Sequence, residues 1–280
     1  MHTKLKPSVS VIISVYNDLE ALKLIIESLL LQSYLPNEVI IAEDAQHDSI
    51  KNYFSSLNIN ININIKHISH KDNGWRKEVI LNKAIKISQS DYLIFIDGDC
   101  VPYKNFVEEH VKLSENNTVL CGRRTEPGNS FSSLLRNKSI TIQDFERDYL
   151  QNFFKLKKDE CRHIEEGIYL GSDSLLFKLL NKLKKSKAHI VGCNWSCFKS
   201  DITKINGFDE DFYLPTTGED TDIERRLIHF GIQMKSCRNA AIVAHLYHEK
   251  IFNPEISSKM KQLMQTKQKI YICKNGLEKL

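Results

Sequence analysis

Short β-branched runs separated by segments of helical periodicity leave this chain few folds. Val9–Val15 is one such run, Leu19–Leu31 has the pattern of an amphipathic helix, and Val39–Ala42 is a second run, giving a β-α-β unit. Leu57–Ile65 alternates asparagine and isoleucine with period two, as a strand would, and a helical segment from Lys77 to Ser88 leads into a further run, Tyr92–Ile96. Strands spaced by helices predict an α/β fold, a mainly parallel sheet flanked by helices, with ligands bound beyond the carboxyl ends of the strands. The 280 residues suffice for one large domain, and 41% hydrophobic with 26% charged residues is the composition of a folded chain.

From Phe131 to His189 the pattern loosens into Lys-rich, helix-prone sequence that reads as an insertion. Within it, residues 176–187 interleave apolar side chains with lysines; such a helix either rests peripherally on an anionic membrane surface or packs one face on the core with its lysines solvated. Ser257–Leu280 reads as a C-terminal helix closing at Asn275-Gly276. A formal charge of +4 is too small to argue for a nucleic-acid partner but suits handling of anionic phosphates. Seven cysteines without a repeating spacing imply free thiols in a reducing compartment, and Cys193 with Cys197 lacks the second pair a structural zinc needs. The N-terminus has no signal-peptide pattern and no apolar run approaches membrane-spanning length, so a cytoplasmic protein is expected, with the inner face of the membrane as a peripheral site.

Asp97-Gly98-Asp99 follows the run Tyr92–Ile96 directly. Asp-Gly-Asp can be only a turn at a strand exit. Two hard oxygen ligands there also suit Mg2+ or Mn2+ shared with a diphosphate, and Gly98 lets the backbone come close. Neither G-x-G-x-x-G nor a P-loop is present, so phosphate contacts fall to Arg76, Lys77, Arg123 and Arg124, or these remain solvated charges. Trp195 either stacks on a sugar face or is a core indole. His245 and His248 follow a strand-like segment, Ala240–Val243, and are spaced so that only one need face a metal; an imidazole among the ligands favours Mn2+ over Mg2+. Glu219, Asp220 and Asp222 open a helix-like segment in which Thr216 and Glu219 fit a capping box.

Val9–Asp18, Glu38–Asp44, Gly74–Ile85 and Asp91–Asp99 together resemble the ordered motifs of family 2 glycosyltransferases with the GT-A fold. Gly192–Asp211 and Gly218–Asp222 are similar to the C-terminal module of β-1,4-galactosyltransferase-like enzymes. The resemblance implies a GT-A domain over residues 1–250, with a nucleotide-binding half at 8–125, a helical insertion at 131–189, an acceptor and catalytic half at 190–250, and a helical extension at 251–280. It implies a UDP-sugar donor held by Tyr16, Asn17, Asp18 and Asp44, with Arg76, Lys77, Asn82, Asp97, Gly98 and Trp195 joining that set. Asp97 and Asp99 would hold Mn2+ or Mg2+, completed by His245 or His248. Asp220 would be the base, Glu219 would hold sugar or acceptor hydroxyls, and Asp222 would be structural. Glu43-Asp-Ala-Gln46 departs from the family's usual Asp-Asp-Gly-Ser. The function implied is inverting transfer of a hexose or N-acetylhexosamine to a glycan or lipid-linked acceptor, in bacterial surface polysaccharide or lipopolysaccharide synthesis. A sugar-phosphate nucleotidyltransferase and a catalytically silent nucleotide-sugar-binding module are the alternatives.

Overall fold

A computed structural model describes residues 6–56, 63–183, 187–214, 218–249 and 254–280. The first unit is β1 (Val9–Val15), α1 (Leu19–Leu30), β2 (Glu38–Glu43), α2 (Asp48–Ser56) and β3 (Asn64–Ser69). The expected Asn/Ile strand meets β3 only at Asn64 and Ile65; its residues 57–62 lie outside the described residues. Next come α3 (Lys77–Ile87), β4 (Tyr92–Asp97), β5 (Cys100–Pro102), α4 (Phe106–Leu113), β6 (Thr118–Cys121) and β7 (Arg123–Thr125). The segment expected to be an insertion holds α5 (Asn129–Arg136), α6 (Ile142–Arg147), α7 (Phe153–Lys158), a 3-10 turn at Ile164–Gly167 and α8 (Leu175–Leu183). The remainder is β8 (Asn194–Phe198), α9 (Lys199–Lys204), α10 (Glu219–His229), β9 (Gln233–Ser236), β10 (Ile242–His245) and α11 (Pro254–Lys267).

Seven strands form one sheet in the order β3-β2-β1-β4-β8-β6-β9. β1 to β4 are mutually parallel where they pair, β8 is antiparallel to β4 and β6, and β6 is parallel to β9. The expected nucleotide-binding and catalytic halves therefore share one sheet. β1 has neighbours on both sides and is buried throughout, which is why its sequence is mostly β-branched, with only the small Ser10 and Ser14 between, and carries no charged face. Its pleat still divides the core. Val9, Val11, Ile13 and Val15 pack with Leu22 and Ile25 of α1 and Phe106 of α4, while Ile12 packs with Ile80 and Ile85 of α3 and Leu227 of α10.

A second sheet, β5-β10-β7, positions the site. β10 runs antiparallel to β5 with His245 opposite Cys100, so it delivers its last residue beside the exit of β4.

The C-terminal segment is not one helix to Asn275. α11 ends at Lys267, because the following chain is tied elsewhere: the Asn206 side-chain amide donates to the carbonyls of Cys273 and Glu278, and Cys273 is buried. Among the described residues no helix is long and apolar enough to cross a membrane, and all seven cysteines are free thiols.

Candidate active site

The two carboxylates of Asp97-Gly98-Asp99 part company at the end of β4. Asp97 is still on the ladder, opposite Ser14, and its Oδ1 accepts from Ser14 Oγ at 2.9 Å and from Lys77 Nζ at 2.7 Å. Gly98 is required by close approach to the protein's own backbone: a Cβ there would stand 2.9 Å from the Ser14 carbonyl oxygen and from Val15. Asp99 has left the ladder. Its carbonyl accepts from Leu246 N at 2.9 Å, which fixes the chain after β10 against it.

That contact brings both histidines to one carboxylate. His245 Nε2 is 3.4 Å and His248 Nε2 3.5 Å from Asp99 Oδ2, where the spacing had required only one. One ligand atom from each of Asp99, His245 and His248 lies within 4.8 Å of the others. Burial would raise the Asp99 carboxyl, but the His245 hydrogen bond and the charges of both imidazoles hold it down at about 2. Burial would lower His245, and Asp99 more than offsets it, leaving the imidazole above its usual range. Two imidazole nitrogens and one carboxylate oxygen are a fitting donor set for Mn2+, with positions left for diphosphate oxygens. Asp97 lies outside this group, and its Oδ1 accepts from Lys77 and Ser14.

Lys77, at the start of α3, sits among three acids contributed by β4 and α10. Burial opposes its charge, yet Asp97, Glu219 and Asp220 together hold the ammonium protonated, above the usual lysine range. Asp220 Oδ2 accepts from Gly192 N at 2.7 Å, and a Cβ on Gly192 would meet Asp220 Oδ1 at 2.6 Å, so the glycine makes room for the carboxylate. Burial raises Asp220, with Lys77 and the Gly192 amide opposing. Burial, then Asp220, pushes Glu219 up to about 7. Asp222 instead turns inward, ion-paired to Arg226 at 2.6 Å, and Arg226 holds the carbonyls of Ile205 and Gly207; it is the structural member of the cluster. The helix begins after Gly218 without a side-chain cap, and Thr216 of the expected capping box lies outside the described residues.

The remaining expected donor residues divide. Asp44 is buried and accepts from Arg76 N at 2.9 Å, with His70 Nε2 2.8 Å from its other oxygen. Tyr16 and Asn17 are exposed at the carboxyl end of β1; the Tyr16 hydroxyl donates to Asp72 at 3.0 Å, and the Arg76 guanidinium lies 5.8 Å over the Tyr213 ring. Asp18 caps α1 through Ala21 N and takes a bidentate contact from Arg136 of α5. Asn82 is buried: its amide donates to the Phe208 carbonyl and to Glu210, and its oxygen accepts from Phe208 N, clamping the 206–210 turn to α3. Trp195 is 1% exposed and stacked on Phe95 at 4.3 Å, the core indole of the two alternatives. Arg123 donates to the carbonyls of Gly122 and His189, and Arg124 to Glu126 and Cys193 Sγ.

Sequence reasoning did not find Arg136, His70 or Glu78. Glu78 is 1% exposed, neither carboxyl oxygen has a hydrogen-bond partner, and burial followed by Glu219 pushes it up to about 8. A glutamate in a first helical turn ordinarily reads as a dipole partner, so no local signal marks it. Two clefts open nearby, one onto the histidines and one onto His70 and Arg76. One, of about 410 Å³, is lined by Asn129, Lys158, Arg162, His245, Tyr247 and His248. The other, of about 670 Å³, is lined by His70, Asp72, Asn73, Arg76 and Glu210.

Residues 10–179 match the family model for glycosyl transferase family 2, and residues 178–249 match the N-terminal domain of galactosyltransferase. The mannosyltransferase PcManGT from Pyrobaculum calidifontis, solved with GDP-Man and Mn2+, superposes with a TM-score of 0.54 at 14% identity, covering 88% of this chain and 59% of its own. GalNAc-T7, solved with UDP, GalNAc and Mn2+, gives 0.59 at 12% identity over 88% of this chain and 45% of its own. At such identities the likeness is one of fold. An uncharacterized glycosyltransferase of Rickettsia bellii (strain RML369-C) is 33% identical over 120 residues, 41% of this chain and only 17% of that relative's length. The matched family model spans more than half of the sequence, and the chain belongs to glycosyl transferase family 2.

Proposed function

We propose that the chain transfers a hexose or N-acetylhexosamine from a UDP-sugar, with inversion, to a hydroxyl of a glycan or lipid-linked acceptor in bacterial surface polysaccharide or lipopolysaccharide synthesis at the cytoplasmic face of the membrane. One observation carries this reading: the Asp99, His245 and His248 donor set lies at the carboxyl end of the sheet, on the same side as a second carboxylate, Asp220, kept in place by Gly192. The solved relatives bound to nucleotides and Mn2+ support a nucleotide-sugar donor and a divalent ion.

Asp99, His245 and His248 would hold Mn2+, which when bound supplies positive charge to the departing diphosphate. Tyr16, Asp44 and Arg76 hold the nucleotide on the cleft beside His70. Asp220 accepts the acceptor hydroxyl's proton as that oxygen bonds to the anomeric carbon and the bond to the diphosphate breaks. Its environment suits the task, because burial raises the carboxylate's proton affinity while Lys77 opposes that rise. Glu219, drawn upward in pKa, is suited to hydrogen-bond sugar or acceptor hydroxyls as a donor as well as an acceptor.

The test is nucleotide release from a panel of UDP-sugars, with GDP-mannose included, in Mn2+ and in chelator, using the wild type, Asp99→Asn and Asp220→Asn with cell-envelope acceptors. Metal-dependent turnover of one donor, abolished by both substitutions, supports the reading. UDP binding without turnover of any donor replaces it with a silent nucleotide-sugar-binding module.

A further inference from the structure

α8 carries its leucines on the outside. At 100° per residue, Leu175, Leu179, Leu183, Leu176 and Leu180 fall within an arc of about 140°, and all five are between 47% and 84% exposed. Only Phe177 is buried. An amphipathic helix of a globular domain turns such a stripe toward the core, so this one has the opposite sense. The stripe continues into a groove of about 530 Å³, where Leu176, Leu180 and Leu183 face Ile168 and Leu170. Exposed apolar area of this kind marks a contact surface.

Charge narrows the occupant. Lys178 and Lys182 follow one another along the edge of the leucine arc and are exposed. Residues 171–189 carry five lysines against the single Asp173, a net of +4, which equals the charge of the whole chain, so the rest of the sequence sums to zero. A second copy across a twofold axis would bring these lysine edges toward each other. An anionic bilayer instead satisfies both features, taking the leucines below its headgroups and the lysines among its phosphates.

We infer that α8 is a peripheral docking helix that seats the protein on an anionic lipid surface through Leu175, Leu176, Leu179, Leu180 and Leu183, with Lys178 and Lys182 at the headgroups. This surface is independent of the transfer chemistry.

The experiment is vesicle co-sedimentation of the full chain with phosphatidylcholine alone and with phosphatidylglycerol added, for wild type, Leu175→Ser/Leu179→Ser and Lys178→Gln/Lys182→Gln. These side chains are exposed, so both variants keep the wild-type melting temperature, which checks the fold. Binding to the anionic vesicles is expected, falling about fivefold per lysine removed and about tenfold or more in the leucine variant, and weakening in high salt. Equal binding by wild type and both variants overturns the inference, as does absence of binding to anionic vesicles. A concentration-dependent dimer by sedimentation velocity that the leucine variant abolishes, without vesicle binding, overturns it in favour of a second copy.

Discussion

Replacing Lys77 by methionine removes the ammonium that acts on Asp97, Glu219 and Asp220 while keeping the shape of the stem. The Lys77 to Asp97 contact is 2.7 Å, with the two side chains 16% and 29% exposed. At an effective dielectric of about 20, that pair alone is worth roughly 6 kcal/mol of gross Coulomb energy. Desolvation of the ammonium offsets much of this, and the partial exposure of Asp97 screens more, so a net loss of about 3 kcal/mol is expected near pH 8, at the low end for breaking a buried pair. The loss must depend on pH. Without the ammonium, Glu219 and Asp220, already raised by burial, have folded-state pKa values raised further above their unfolded values. Such groups contribute stability below the unfolded pKa and lose it as pH rises through the folded one. Lys77→Met should therefore recover most of its deficit at pH 5, where the carboxyls take up protons. Urea denaturation of both proteins at pH 5 and pH 8 reads this directly. A deficit of the same size at both values would mean that Lys77 acts only by filling space, and the electrostatic account of the cluster would fail.

Glu219, pushed up to about 7, contributes stability below its unfolded value that is lost as pH rises toward neutrality. Glu219→Gln should accordingly melt higher than wild type at pH 8, by about 2 kcal/mol in stability, with no gain at pH 5. For the ion site, Mn2+ affinity measured by the free-ion EPR signal should fall tenfold or more in Asp99→Asn and much less in Asp97→Asn. It should also weaken as pH falls, since His245, raised by Asp99, must lose its proton to coordinate. Gly98→Ala should cost about 2 kcal/mol through overpacking against β1, seen as a lower urea midpoint; an unchanged midpoint would show that β1 and the β4 exit give way freely.

The sheet was legible because periodicity is local. β1, β2 and β4 are buried between neighbours and so written as apolar runs, and α1 and α3 carry stripes that match the two faces of β1. The antiparallel entry of β8 was not, since a strand's direction leaves no mark on its own composition. The C-terminal segment misled for a related reason: helical propensity extends past Lys267, but Asn206, more than sixty positions away, holds the carbonyls of Cys273 and Glu278 and fixes that stretch against the body of the fold. In the site, the spacing of His245 and His248 argued for one ligand, whereas the turn after β10, held by the Asp99 carbonyl, presents both.

The division of Asp97 from Asp99 follows from where the ladder ends. Asp97 keeps its partner Ser14, and the pleat directs its carboxylate to the α3 face, where Lys77 waits. Asp99, two residues on, has exchanged that sheet for the small one, whose antiparallel register sets His245 opposite Cys100. One motif thus supplies two chemically distinct carboxylates. The first is paired with the Lys77 ammonium, which links β4 electrostatically to Glu219 and Asp220, whereas the second lies beside the imidazoles of His245 and His248. A divalent ion held by Asp99, His245 and His248 would need His245 to give up its proton, while the Lys77 contact with Asp97 lies outside that donor set.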